Sequence, residues 1–395
     1  MDFLKIASLY EKDIKNWRRD IHMNPEIGFN LPITSKKVAK LLKSFGLRVE
    51  KDFVESAVLG ILDTGRPGNT VAVRADMDAL EIEEMNDVPY KSKIQGRSHS
   101  CGHDSHTAIV LGLAKLISEN IDNFSGVIKF VFQPAEEGPA PGGAKLICES
   151  GVLNDVDYMI GAHAQPLYPA GYIALRYNEA FASGDFFEIT LRGKGCHAAS
   201  PHRGKDAIVT AMQIINSLQT IRSREIPPLK AGVISITSIN AGNLKTKNVL
   251  PEIITMGGTY RAYDDDLRKM IGNRIEQMAE TISKLNGCEC EYKRIPMFPS
   301  LINDNEVIDV IKKSAEDVLG VEKVIMKPEP EMGSEDFAYY TRKTRAAFFF
   351  FGVKCEDENI VNSLHNPRFN IDENTFIPTL AVFAQTVKNL SELNS

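Results

Sequence analysis

The chain has 395 residues, 43% hydrophobic and 25% charged, with 46 Lys plus Arg against 52 Asp plus Glu and a formal net charge of −6. This composition excludes collagen-like, coiled-coil and disordered classes, and the length predicts two or three domains. The mild acidity argues against sequence-independent nucleic-acid binding, which needs a basic surface. No apolar run approaches the ~18 residues of a membrane-spanning helix, and the charged start, Met1 to Asp20, lacks the apolar centre of a signal peptide. The expectation is a cytoplasmic protein without a membrane partner. Its six cysteines are mostly far apart and do not make a disulfide framework. Each is read as a thiol, a metal ligand or a nucleophile.

In chain order, apolar spacing predicts a helix over Leu4 to Ile21 and a second over Ser35 to Phe45, stopped at Gly46. Thr70 to Ala75 reads as a strand ending in Arg74-Ala75-Asp76-Met77-Asp78. Thr107 to Ile117 reads as an apolar helix with Asp104 or Ser105 as its cap. Val127 to Phe132, Asp157 to Ala162 and Ala346 to Gly352 are further strands. Strands alternating with helices predict an α/β fold, a central mixed sheet flanked by helices. The middle differs: strand Asp185 to Arg192, helix Asp206 to Thr220, strands Ala231 to Asn240 and Ile253 to Tyr263, helix Asp265 to Asn286, strand Cys288 to Arg294. This order is the ferredoxin-like α+β pattern. The expected boundaries are 1–182 plus 297–395 for a discontinuous catalytic domain and 183–296 for the inserted one.

Three of the eight histidines and one cysteine fall between Ser98 and His106. Thiolate, imidazole and carboxylate are the ligand set of zinc and similar ions, and a turn before a helix lets Cys101 and His103 converge. A helix N-terminus also favours the thiolate. Glu136 and Glu137 follow a strand, where one carboxylate can bind metal and its neighbour take a proton; solvated loop glutamates are the plainer reading. His163 and His365 also follow apolar runs. Alone, each reads as structural, but ends of α/β strands gather at one crevice. Gly193-Lys194-Gly195 lacks the spacing of a phosphate loop. Cys196 beside His197 does not make a cysteine hydrolase, because neighbouring residues rarely face each other. Cys288 and Cys290 read as buried thiols on one strand face.

Together these segments resemble the di-metal aminoacylases, hippurate hydrolases and auxin-amino-acid conjugate hydrolases. The resemblance rests on His22-Met23-Asn24-Pro25-Glu26, Arg74 to Leu80, Cys101-Gly102-His103-Asp104-Ser105-His106-Thr107-Ala108, Phe132 to Gly138, Gly161-Ala162-His163, Gly195 to His202, Asn248 to Pro251, Met332 to Phe337 and Ser363 to Pro367. It implies Cys101, His103, Glu137, His163 and His365 as ligands of two divalent ions per subunit (Zn, Mn, Co or Ni), with Cys101 bridging. It implies Glu136 as general base and later acid, and His197 as oxyanion stabiliser in its own or a neighbouring subunit's site. Asn248 and Arg261 would hold the substrate, the arginine suiting a carboxylate. Asp104 is the expected orienting partner of the ligand histidines; His99 and His106 are not expected to be ligands, and His202 is expected to line the lid. The substrate class implied is an N-acyl amino acid, split into free amino acid and carboxylic acid. The inserted domain would serve as lid and dimerisation domain of a homodimer or higher homo-oligomer. The alternatives are a dipeptidase or carboxypeptidase-type exopeptidase, a retired enzyme kept as a binding protein, and a thiol hydrolase using Cys101.

Overall fold

A computed structural model describes residues 1–327 and 329–393. The chain divides into two compact units, Met1–Ala180 with Ile302–Pro330 and Asp336–Ser395, and Phe181–Leu301 with Glu331–Glu335. The short segment Glu331–Glu335 groups with the second unit; Ala182 N–H donates to Glu331 O at 3.0 Å.

The first unit is built on an eight-stranded mixed sheet. Its order is Arg48–Glu50, Val58–Asp63, Val127–Gln133, Thr70–Asp76, Tyr158–Pro169, Arg345–Lys354, Ile173–Leu175, Val324–Met326. The four long central strands, from Val127–Gln133 to Arg345–Lys354, run parallel. Their β-branched and aromatic runs are buried on both faces, as helix-covered parallel strands require. Helix His103–Glu119 is buried almost throughout; Ile109, Leu113 and Ile117 share one core with Val73, Phe130, Phe349 and Phe383.

Thr70–Asp76 lies between Val127–Gln133 and Tyr158–Pro169, so the chain winds first to one side of it and then to the other. That reversal splays the connections and opens a crevice at the carboxyl ends of these strands.

The expected single helix over Leu4 to Ile21 is broken. An α-helix Phe3–Ala7 passes through a 3₁₀ turn, Ser8–Tyr10, into a second α-helix, Glu11–His22. The tighter turn seats buried Tyr10, whose hydroxyl donates to Glu119 Oε2 at 2.8 Å. Helical apolar spacing runs through such a turn unchanged, so the pattern does not reveal it.

The second unit holds a four-stranded antiparallel sheet, ordered Gly232–Ala241, Ile253–Ala262, Ser183–Arg192, Glu289–Phe298. Helices Ala207–Thr220 and Asp265–Leu285 supply Ile214, Leu218, Ile271 and Ile275 to its core. Asp206 and Asp264 cap them by accepting from Val209 N and Leu267 N. Among the described residues, no helix is long and apolar enough to cross a membrane.

Candidate metal centre and active site

The crevice of the first unit is furnished from four chain segments. Gly102, at φ 87°, is the N-cap of helix His103–Glu119 and makes the left-handed turn that brings Cys101 and His103 to one place. Asp104 and Ser105, expected as caps, lie inside the helix; Ser105 Oγ instead donates back to Gly102 O at 2.5 Å. Glu136 and Glu137 follow strand Val127–Gln133, and His163 lies within Tyr158–Pro169. His365 comes from the loop after Arg345–Lys354, where its own N–H donates to Ser100 O at 2.8 Å and its φ of 58° is unusual for a non-glycine residue.

Ligand-capable atoms of Cys101, His103 and His163 lie within 4.8 Å of one another, as do those of Cys101, Glu137 and His365. The two triads share one sulfur. Cys101 Sγ is 3.3 Å from His163 Nε2, and His365 Nε2 is 3.2 Å from Glu137 Oε1. Glu136 Oε2 is 3.9 Å from His103 Nε2, so the second carboxylate reaches the same crevice.

Backbone groups fix how the histidines point. Nδ1 of His103 donates to Asp78 O and Nδ1 of His163 to Ala164 O, both at 2.8 Å, which leaves each Nε2 as the nitrogen available to a metal. Asp104, expected in that orienting role, faces the other way. It accepts from Arg18 Nε at 2.7 Å and lies 2.8 Å from His22 Nδ1 in a buried network below the site. The Asp78 carboxylate accepts from Glu136 N and Glu137 N, each at 3.0 Å, and so pins the two glutamates together.

Asp76, Asp78 and His106 carry roles that sequence reasoning did not assign. Asp76 is fully buried and accepts from Arg74 Nη1 at 2.7 Å and His106 Nδ1 at 2.5 Å. The signal for the two aspartates lies in Arg74 to Leu80, two carboxylates at a strand end.

The electrostatics suit cations. Burial alone would depress His103, but Asp76, Asp78 and Glu137 push it up to about 10. Burial pushes the Cys101 thiol well above its ordinary value, and Glu137, Glu136 and Asp76 add to the effect. Desolvation and three carboxylates oppose the local helix N-terminus, so the thiolate expected at Cys101 calls for a bound cation. Burial lowers His163 and His106 to about 4, so both rings are neutral. Buried His103 Nε2 has no hydrogen-bond partner among the described residues. A divalent cation answers each feature: it takes the place of the proton that the carboxylates hold on His103 Nε2, stabilises the thiolate and offsets the carboxylates.

In the second unit, Val249 pairs with His197 and Asn248 O accepts from Ala198 N at 2.9 Å, so His197 and Asn248 meet on one short ribbon. His197 is exposed, its Nδ1 accepting from Ala199 N at 3.1 Å. Arg261 stands on strand Ile253–Ala262, its Nη1 donating to Met332 O at 3.1 Å. Exposed His202 belongs to the short 3₁₀ turn Pro201–Arg203. Cys196 Sγ contacts Ser200 O at 3.5 Å, and buried Cys288 lies 3.5 Å from Thr210 Oγ1. All six cysteines are free.

The pattern of peptidase family M20/M25/M40 matches residues 72–389. Thermostable carboxypeptidase 2 of Saccharolobus solfataricus is 38% identical over 94% of this chain and 95% of its own. An IAA-amino acid hydrolase of Arabidopsis thaliana is 37% identical over 94% of this chain and 84% of its own. The N-acetyl-L-cysteine deacetylase of Bacillus subtilis is 35% identical over 98% and 90%. A crystal structure described as a dinuclear metal-binding peptidase of the M20 family, from Bacillus subtilis, superposes with a TM-score of 0.83 and 31% identity over 97% of this chain and 99% of that one.

Proposed function

This chain belongs to peptidase family M20/M25/M40 and is a hydrolase of amide bonds, and from that premise we propose that it removes the acyl group from N-acyl amino acids, using two divalent ions. The observation that carries the reading is the pair of triads sharing Cys101 Sγ, with Glu136 beside them. One ion is assigned to Cys101, His103 and His163, the other to Cys101, Glu137 and His365. Zinc, manganese, cobalt or nickel all suit such donors.

Ions bound there supply a nucleophile at neutral pH and a Lewis acid for the acyl carbonyl. Glu136 takes the proton of the attacking water and returns it to the departing nitrogen, so one carboxylate serves as base and then as acid. Glu137, next to it, stays charged: burial pushes it up, but His365, His103 and Cys101 hold it below its ordinary value. His197 opposes charge on the carbonyl oxygen. Asn248 and Arg261 hold the carboxylate of the amino-acid half, with Arg261 steadied by Met332 O and, at 3.5 Å, Ser334 Oγ. A homodimer formed through the second unit belongs to the same reading, supported by the exposed Val209, Met212 and Ile239 of that unit. Light scattering at twice the chain mass tests it. Free cysteines throughout fit a reducing cytoplasm.

The carboxypeptidase relative favours a second reading, release of a C-terminal residue from a peptide. Both substrates carry a free carboxylate on the leaving amine, so Arg261 suits both. A panel of N-acetyl, N-benzoyl and indoleacetyl amino acids against dipeptides, before and after chelation, separates them. Faster release from the acyl amino acids supports the first reading; faster release from dipeptides replaces it with the second. Release that survives metal removal overturns both.

A further inference from the structure

His106 stands behind the ion position assigned above to Cys101, His103 and His163. It is buried, and both its ring nitrogens are engaged. Ala164 N–H donates to His106 Nε2 at 3.0 Å. A backbone amide can only donate, so Nε2 carries the lone pair and Nδ1 carries the proton. That proton is given to Asp76 Oδ1 at 2.5 Å. The carbonyl of the same residue, Ala164, accepts from His163 Nδ1. The backbone of one residue is therefore held by His106 through its N–H and aims His163 with its carbonyl, the two peptide groups being joined at the Ala164 Cα.

Asp76 is the other end of this chain of contacts. Its Oδ1 is taken by His106 and its Oδ2 by Arg74 Nη1, yet Oδ2 also lies 3.5 Å from His103 Nε2. A carboxylate so close to a ligand atom would itself bind a cation if released. His106 and Arg74 each occupy one oxygen and keep it as a neighbouring charge. The rings of His106 and His163 meet edge to face, with centroids 4.7 Å apart, and Phe351 closes the far side at 5.6 Å.

We propose that His106 is a positioning residue for this one ion: its ring ties Asp76, beside His103, to Ala164, the residue whose carbonyl aims His163. The inference rests on the two-ion reading above and adds an asymmetry. Glu137 and His365 take no part in the contacts made by His106, so the second ion should not sense its loss.

Three variants separate the two contacts. His106→Asn places an amide where Nδ1 was, keeping the donor to Asp76 and losing the acceptor for Ala164. His106→Gln reaches toward Nε2 with the opposite effect. His106→Ala loses both. Co²⁺ binding to metal-free protein is followed by calorimetry and by visible absorption, with circular dichroism reporting the fold. Expected is a 10- to 100-fold weaker association of one ion, the size seen when a ligand's orienting partner is removed. The other ion changes less than about threefold. The absorption of the weakened ion should change most in His106→Gln and His106→Ala, where Asp76 Oδ1 is released. Equal weakening of both ions, or no weakening of either in a folded variant, overturns the inference. Wild-type protein that fails to bind two ions overturns the two-ion reading instead. Should no variant fold, histidine-selective ¹⁵N spectra of wild type decide: a proton on Nδ1 of His106, with and without metal, is required, and a proton on Nε2 contradicts it.

Discussion

Cys101 Sγ lies 3.3 Å from His163 Nε2, although the two residues are 62 positions apart. A left-handed turn at Gly102 delivers one, and the parallel strand next to Thr70–Asp76 delivers the other. The sulfur also belongs to the triad with Glu137 and His365, so the two ion positions proposed above would depend on a single atom.

That dependence is unequal among the ligands. Cys101→Ala should abolish tight binding of both ions, whereas His163→Ala and His365→Ala should each leave one. Metal-to-protein ratios after gel filtration check this. Cys101→Ala protein that retains one fully occupied ion would remove the bridging role.

Asp78 should matter as much as a ligand, though it belongs to neither triad. Its two oxygens fix the amides of Glu136 and Glu137. Asp78→Ala is expected to lower kcat/KM or metal affinity by about 10- to 100-fold. It also leaves buried N–H groups unpaired, at about 1–3 kcal/mol each. Kinetics combined with urea unfolding separates the losses; an unchanged kcat/KM in the folded variant would count against the role.

What the sequence made legible follows from how far each signal reaches. The donors of Cys101, His103, Glu136, Glu137, His163 and His365 are side chains in compact motifs, and the alternation that marked the second unit's strands survives in burial that switches along Ile253–Ala262. The partners that aim the histidines are backbone carbonyls of Asp78 and Ala164, which leave no residue signature. Asp104 was expected there because it neighbours His103, but adjacent helical residues face apart, and Arg18 and His22 claim it. The upward push on the Cys101 thiol has a related origin. Helix polarity is local, while the carboxylates that oppose it arrive from distant segments.

Asp336 joins three segments of the first unit. It is fully buried, accepts from Arg74 Nη2 and Gln133 Nε2 at 2.9 Å, and takes Ala144 N at 3.1 Å. Asp336→Ala should destabilise this unit by about 3–5 kcal/mol, because it uncovers part of a buried guanidinium. Denaturant unfolding followed by a probe in this unit measures it; a loss below about 1 kcal/mol would show that Arg74 is satisfied by Asp76 alone.

The second unit carries an acid-sensitive anchor. Burial would raise Asp185, but Arg268 and backbone N–H of Met297 hold it below its ordinary value of 3.8. With the folded value depressed, the unfolded chain binds the extra proton, so this stabilisation is complete above about pH 4 and is lost as pH falls through the folded value. Asp185→Ala should cost about 1.5–3 kcal/mol at pH 7, and the gap to wild type should close toward pH 3. Urea midpoints at pH 7, 4 and 3 check this; a gap that widens on acidification has the wrong sign.

The most direct measurement is hydrolysis of an N-acyl amino acid by wild type and Glu136→Gln, with the metal content of both determined in the same samples. The two-ion mechanism predicts that the variant keeps both ions while kcat falls by about 10²–10⁴-fold, the usual worth of a positioned general base. A fully loaded variant that turns over within a few-fold of wild type would contradict it.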